Sequence, residues 1–273
     1  MTTTQNVAEL QLVAKTIRRH IVEMLAAAKS GHPGGSLSAV EILVTLFWDV
    51  LRHDPANPDW PDRDRFLLSK GHAAPVLYAV MAECGYTPVD QLTTLRKLGS
   101  IYQGHPDRRF IPALDASTGS LGEGLSIALG MGLAARWDKR PTRVYCVLGD
   151  GEIQEGQIWE AAMSAAFHRI DNVVAIVDYN RIQLDGFVKD IMEVEPLAAK
   201  WLAFGWHTIE VDGHSIPALQ AAFAEAAATQ GKPTVLIAHT VKGKGVSFME
   251  NNPKFHGVAP TREEMEVALK ELG

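Results

Sequence analysis

The sequence predicts an α/β fold, a doubly wound and mainly parallel sheet flanked by helices, on three observations. Two apolar stretches of buried-strand length, Val144-Tyr145-Cys146-Val147-Leu148 and Val173-Val174-Ala175-Ile176-Val177, stand apart in the chain. Between them Ile153, Ile158, Ala161, Ala162, Ala165 and Ala166 fall on one helical face, the spacing of a crossover between parallel strands. The stretches end in Gly149-Asp150-Gly151 and Asp178-Tyr179-Asn180, and ligands of open α/β sheets bind beyond the carboxyl ends of the strands. Asp150 and Asn180 are therefore expected to meet there, and an oxygen from each, with waters and phosphate oxygens, suits octahedral magnesium.

The 273 residues are 47% hydrophobic, enough for a substantial core, and read as a single domain over 1–273 with irregular terminal segments. A net charge of −6, with no basic run longer than Arg18-Arg19 or Arg108-Arg109, argues against nucleic acid as a partner. Cys84 and Cys146 lie in apolar surroundings, as reduced thiols of a cytoplasmic protein do. Residues 1–6 lack the basic and apolar regions of a signal peptide, and no apolar run reaches membrane-spanning length, so no membrane association is expected.

Taken in order, Val7–Ala28 carries Leu10, Val13, Ala14, Ile17, Ile21 and Leu25 at helical spacing. Ser30-Gly31-His32-Pro33-Gly34-Gly35 reads as a breaker-rich loop, with Ser36 or Ser38 capping a buried helix over 39–51. Arg65-Phe66-Leu67-Leu68 is a short strand running into Ser69-Lys70-Gly71-His72-Ala73, and a helix resumes over 75–81. Residues 93–115, with Gly104-His105-Pro106, show no periodicity and read as irregular structure over a surface. A small-residue helix follows over 125–137. Beyond the central unit, Asp185-Gly186 is a turn, 197–204 a helix and 208–211 a strand closed by Asp212-Gly213-His214. Ser215 caps an alanine-rich helix, 233–238 is another buried strand, Lys242-Gly243-Lys244-Gly245 reads as a flexible loop, and Thr261 opens a charged terminal helix.

Gly149-Asp150-Gly151 is common in turns, but here it follows a buried strand and opens a helix whose amides suit an anion. It is neither a Walker loop nor a dinucleotide fingerprint. Of ten histidines, four stand in glycine-adjacent loops: His32, His72, His105 and His256. If those loops converge, imidazoles titrating near neutrality can bind phosphate oxygens and move protons on a sugar. Their wide separation disfavours zinc. Glu155 and Glu160 read as helix-surface acids.

Ser30-Gly31-His32-Pro33-Gly34, Ser69-Lys70-Gly71-His72-Ala73, Gly104-His105-Pro106, Thr118-Gly119-Ser120-Leu121-Gly122-Glu123-Gly124, the unit from Gly149 to Asn180 and His256-Gly257 together closely resemble the N-terminal, diphosphate-binding half of transketolase. The resemblance implies thiamine diphosphate with Mg2+ (or Ca2+ or Mn2+) as cofactors. It implies that Asp150, Asn180 and the Ile182 carbonyl hold the metal, and that Gly151, His72 and His256 contact the diphosphate. Gly119 and Leu121 would border the aminopyrimidine, and His32, His105 and His256 would face the sugars. Glu155 and Glu160 match acids that lie between active sites in the family. Ser120 and Glu123 depart from the proline and glutamine of many members. Deoxyxylulose-phosphate synthases fit less well, and a non-catalytic cofactor-binding module is the rival of another class.

Full-length family members continue into a pyrimidine-binding domain with the glutamate that activates the cofactor, and then a third domain. The resemblance therefore implies one chain of a split transketolase. A separate C-terminal subunit would supply that glutamate in an α2β2 assembly moving a two-carbon ketol unit between sugars or sugar phosphates.

Overall fold

The computed structural model describes residues 6–273, so most of the stretch read as lacking a signal peptide lies outside the described residues. Its strands are β1 (Arg65–Leu68), β2 (Val144–Gly149), β3 (Val173–Tyr179), β4 (Ile182–Gln183), β5 (Gly186–Phe187), β6 (His207–Asp212) and β7 (Thr234–His239). Its α-helices are α1 (Val7–Ala28), α2 (Pro33–Ser38), α3 (Val40–Thr45), α4 (Ala74–Glu83), α5 (Glu123–Trp137), α6 (Gly156–Phe167), α7 (Val188–Ile191), α8 (Leu197–Ala203), α9 (Ile216–Ala228) and α10 (Arg262–Leu272). Five strands form one parallel sheet in the order β1-β2-β3-β7-β6, and β4 and β5 make a separate antiparallel hairpin.

Successive side chains on a strand point to opposite faces, so the apolar strands must be covered twice. Val147, Ile176 and Leu236 pack under α1, α3, α4 and α9, whereas Cys146, Ala175 and Ile237 pack under α5, α6 and α8. This is the doubly wound architecture expected. Parallel register sets Gly149 opposite Asp178 and Tyr179 opposite His239, which brings the loops after β1, β2, β3 and β7 to one edge.

Local chemistry accounts for the element ends. Asn6 accepts from the Ala8 N–H at the start of α1, and Ser215 accepts from the Ala218 N–H at the start of α9. Thr261 and Glu264 form a reciprocal capping box on α10. The breaker-rich reading of 30–35 needs correction, as does the helix expected over 39–51. Pro33, Gly34 and Gly35 are helical, with His32 as the N-cap. Proline at the first helical position loses no hydrogen bond, and burial of the segment overrides its poor propensity. Ser36 and Ser38 cap nothing: their hydroxyls donate to the His32 carbonyl (2.7 Å) and the Asp178 carboxylate (2.6 Å). The predicted helix is α3 continued by a π-helical turn, Leu46–Val50.

Residues 93–115 are largely irregular, as expected, but they are anchored. Leu95, Tyr102, Ile111 and Leu114 are buried, and the Tyr78 hydroxyl reaches the Gln103 and His105 carbonyls, each at 3.0 Å.

Candidate active site

At the carboxyl edge, the Asp150 carboxylate is buried and accepts the Gly151 N–H at 2.8 Å and the N–H of Arg181. The loops after β2 and β3 are thus tied together through this side chain. Arg181 adopts a left-handed φ of 66°, which turns the chain into the β4–β5 hairpin. Asn180 spans that turn, its Oδ1 accepting the Ile182 N–H at 3.2 Å and its Nδ2 donating to Asp178 at 3.0 Å. The Ile182 carbonyl accepts the Lys242 ammonium at 2.6 Å.

Asp178, Glu152 and Lys242 hold this edge together, and sequence reasoning assigned a role to none of them. Asp178 has no exposed surface, pairs with Lys70, and accepts from Ser38, Asn180 and Thr240. Burial opposes its charge, but the Lys70 ammonium and the hydroxyl donors outweigh burial and lower its pKa. Glu152 accepts from the Ser69 hydroxyl, the Gly122 N–H (3.0 Å) and the Gly149 N–H (2.9 Å). One buried carboxylate therefore joins the loops bearing His72, Leu121 and Asp150. Lys242, expected in a flexible loop, is 2% exposed, and its Nζ lies 2.9 Å from His256 Nδ1. The sequence places each beside a buried strand or a glycine loop, but their partners lie far away in the chain.

His32, His72 and His256 converge, with ring centroids 5.1 to 5.6 Å apart. Together with His105, Gly119, Leu121, Asp150, Gly151, Glu155, Asn180 and Ile182 they line one cavity of about 410 Å³. Wider depressions of about 580 Å³, which shares Asn180 with this cavity, and about 710 Å³ gather none of the histidines. Of the site residues expected from sequence, only Glu160 lies away from this cavity, exposed on α6. Gly119 is needed as glycine: its φ is 149°, and a Cβ would stand 3.2 Å from the His105 ring.

The expectation of imidazoles titrating near neutrality is corrected. Burial, then Arg96, lowers His32 to about 4; burial, then Lys242, lowers His256 to about 3. Burial also lowers His72 well below its ordinary value, with Lys70 adding to it, and burial with Arg96 lowers His105. All four are neutral near pH 7, each with one donor and one acceptor nitrogen; in His256 the acceptor, Nδ1, already faces the Lys242 ammonium. His32 Nδ1 is buried with no hydrogen-bond partner among the described residues, as befits an atom awaiting a ligand.

The donor set fits a hard divalent cation. A carboxylate, an amide oxygen and a backbone carbonyl are oxygen ligands of the kind Mg2+ takes, and the carbonyl already attracts the positive end of Lys242. No group of three or more His, Cys, Asp or Glu side chains that could hold a metal occurs among the described residues. One carboxylate is a weak cage by itself, and Mg2+ sites of this kind are completed by waters and phosphate oxygens. Burial and the Asp178 carboxylate push the Asp150 pKa upward, a cost that a cation beside it would offset.

Residues 9–273 match the family described as transketolase, thiamine diphosphate binding domain. This chain belongs to the transketolase family. It is 45% identical to the 6-deoxy-6-sulfo-D-fructose transketolase subunit SqwG of a Clostridium species over 97% of this chain and 96% of that one. It is 41% identical to an apulose-4-phosphate transketolase subunit of Phocaeicola vulgatus over 97% of this chain and 94% of that one. The transketolase structure from Campylobacter jejuni superposes with a TM-score of 0.93 at 33% identity, over 98% of this chain but 43% of that one. The chain thus spans under half of that solved transketolase, while matching proteins named as transketolase subunits over nearly their whole length. It is a transketolase-type transferase subunit with thiamine diphosphate as cofactor.

Proposed function

We propose that this chain is the diphosphate- and metal-holding half of a two-chain transketolase, moving a two-carbon ketol unit from a ketose or ketose phosphate to an aldose. What carries the reading is the convergence of Asp150, Asn180 and the Ile182 carbonyl beside Lys70, Lys242, His72 and His256 at one sheet edge. Asp150, Asn180 and Ile182 would hold the cation, with phosphate oxygens in the remaining positions. Gly151, His72, His256 and Lys242 would hold the diphosphate. Thiamine diphosphate supplies the electron sink for carbon–carbon cleavage when bound.

The chain's own residues orient and protect. Gly119 and Leu121 border the ring end of the cavity, and Glu155 stands at its rim. His32, His105 and His256, neutral at pH 7, hydrogen-bond sugar hydroxyls and relay protons at the substrate carbonyl oxygen. The activating glutamate belongs to a partner chain, and active sites form between subunits in an α2β2 assembly, with Glu155 and Glu160 at the contact. A cytoplasmic setting accords with Cys84 and Cys146, both free thiols suited to a reducing compartment. Among the described residues no helix is long and apolar enough to cross a membrane.

Calorimetric titration of thiamine diphosphate with Mg2+ tests the site. Asp150→Ala is expected to abolish the Mg2+ dependence of binding, and unchanged affinity would refute the metal assignment. Ketol transfer assayed with and without a C-terminal transketolase subunit from the same source tests the division of labour; turnover by this chain alone would sink it.

A further inference from the structure

The loop that presents Lys242 is fastened from behind. One residue before it, the Val241 N–H donates to His214 Nε2 at 2.8 Å; two residues after it, the Lys244 carbonyl accepts Arg18 Nε at 3.0 Å. Both fasteners meet on Glu41, which takes Arg18 through two N–H groups at 2.7 and 2.8 Å and His214 Nδ1 at 2.9 Å. A backbone N–H can only donate, so His214 Nε2 accepts, and the ring proton sits on Nδ1 and goes to Glu41. Burial opposes the Glu41 charge, but the bonds from His214 and Arg18 prevail and hold its pKa down to about 2. None of the three lines the cavity, so none has a direct part in its chemistry.

Lys242 carries its ammonium on a buried four-carbon stem, between the Ile182 carbonyl and His256, from a turn also held by the Gly243 N–H on the Gly34 carbonyl (3.0 Å) and the Asn251 N–H on the Lys242 carbonyl (2.9 Å). Where that ammonium stands depends on where the backbone of 241–244 stands. We infer that His214, locked in one tautomer by the Arg18–Glu41 pair, is a positioning residue that sets Lys242 against the phosphates in the cavity. The inference rests on the proposed reading of the cavity as a diphosphate site. It extends that reading to three residues outside the cavity.

The test measures dissociation constants of thiamine diphosphate and of thiamine in saturating Mg2+ for the full chain together with its partner subunit, beside thermal midpoints of the chain. Outer-shell partners of metal ligands are typically worth about 10–100-fold, and the same order is expected for a lysine that holds phosphate. His214→Leu is expected to weaken thiamine diphosphate by about tenfold or more while leaving thiamine unchanged. In His214→Gln the side-chain oxygen accepts from Val241 and its NH2 donates to Glu41, so affinity should recover. In a Lys242→Met background His214→Leu should add nothing. If His214→Leu does not fold, His214→Asn, too short to serve both partners, takes its place. Equal weakening of both ligands, or an undiminished effect without Lys242, overturns the inference and leaves the cofactor reading intact. No affinity of the wild-type chain for thiamine diphosphate, even with its partner subunit present, overturns both.

Discussion

Asp178 and Lys70 form an ion pair with essentially no solvent contact, at 0% and 1% side-chain exposure. Removing one partner of a buried pair strands the other charge, typically at about 3–5 kcal/mol. Asp178→Asn is therefore expected to lower unfolding free energy by about that amount in urea titration, and combining it with Lys70→Met should cost less than the sum of the single changes. Glu152→Gln poses a different problem. An amide cannot accept from Ser69, Gly122 and Gly149 with both ends, so one backbone N–H faces an NH2 group. A loss of about 1–3 kcal/mol is expected, with weaker thiamine diphosphate binding because three cofactor loops lose their common anchor. The histidines set the acid limit. His32 is lowered from 6.5 to about 4, so as pH falls from 6.5 toward 4 the unfolded chain takes up a proton that the folded chain refuses. Stability from this group is full above pH 6.5 and declines below it. Urea midpoints at pH 7 and pH 5 should differ less in His32→Gln than in the wild type.

Helix α5 carries two glycines with opposite consequences. A Cβ at Gly132 would stand 2.5 Å from Val173 Cγ2 on the sheet, whereas one at Gly130 meets nothing within 4 Å. Helix propensity favours alanine over glycine by up to about 1 kcal/mol at either place, while overpacking costs about 1–3 kcal/mol. Gly130→Ala is expected to raise the melting temperature of the isolated chain and Gly132→Ala to lower it. The sequence shows a small-residue helix over 125–137 but not which glycine packs against the sheet, because that depends on the facing strand. The same limit applies to α2. Ser30 to Gly35 reads as loop from local propensity, and only burial against the sheet edge makes Pro33–Ser38 helical. Strands β2 and β3 were legible because a central parallel strand is apolar along its whole length, which needs no partner to be seen.

Across the whole molecule, most of the candidate site was legible because its residues sit in loops at one sheet edge, where short motifs survive in the sequence. Asp178, Glu152 and Lys242 were not. A charged residue shows its role only when burial and its partners are known, and those partners lie 108 residues away for Asp178 and Lys70 and 83 for Ser69 and Glu152. Glu160 was legible in the family resemblance alone. Outside the cavity, it shares the open face of α6 with Met163 and Phe167, spaced three and seven residues on and exposed by 56% and 82%. The N-cap of the same helix, Glu155, reaches the cavity rim. Two exposed large apolar side chains on the helix whose N-cap reaches the cavity rim are the kind of surface that a subunit contact covers. A Met163→Glu, Phe167→Glu double variant places charge there without disturbing the core, so chain stability should change by no more than about 0.5 kcal/mol per site. Sedimentation velocity of the variant with its partner chain is expected to show a smaller species, with ketol transfer lost in parallel. An unchanged sedimentation coefficient would move the subunit contact off α6 and leave Glu160 a surface acid.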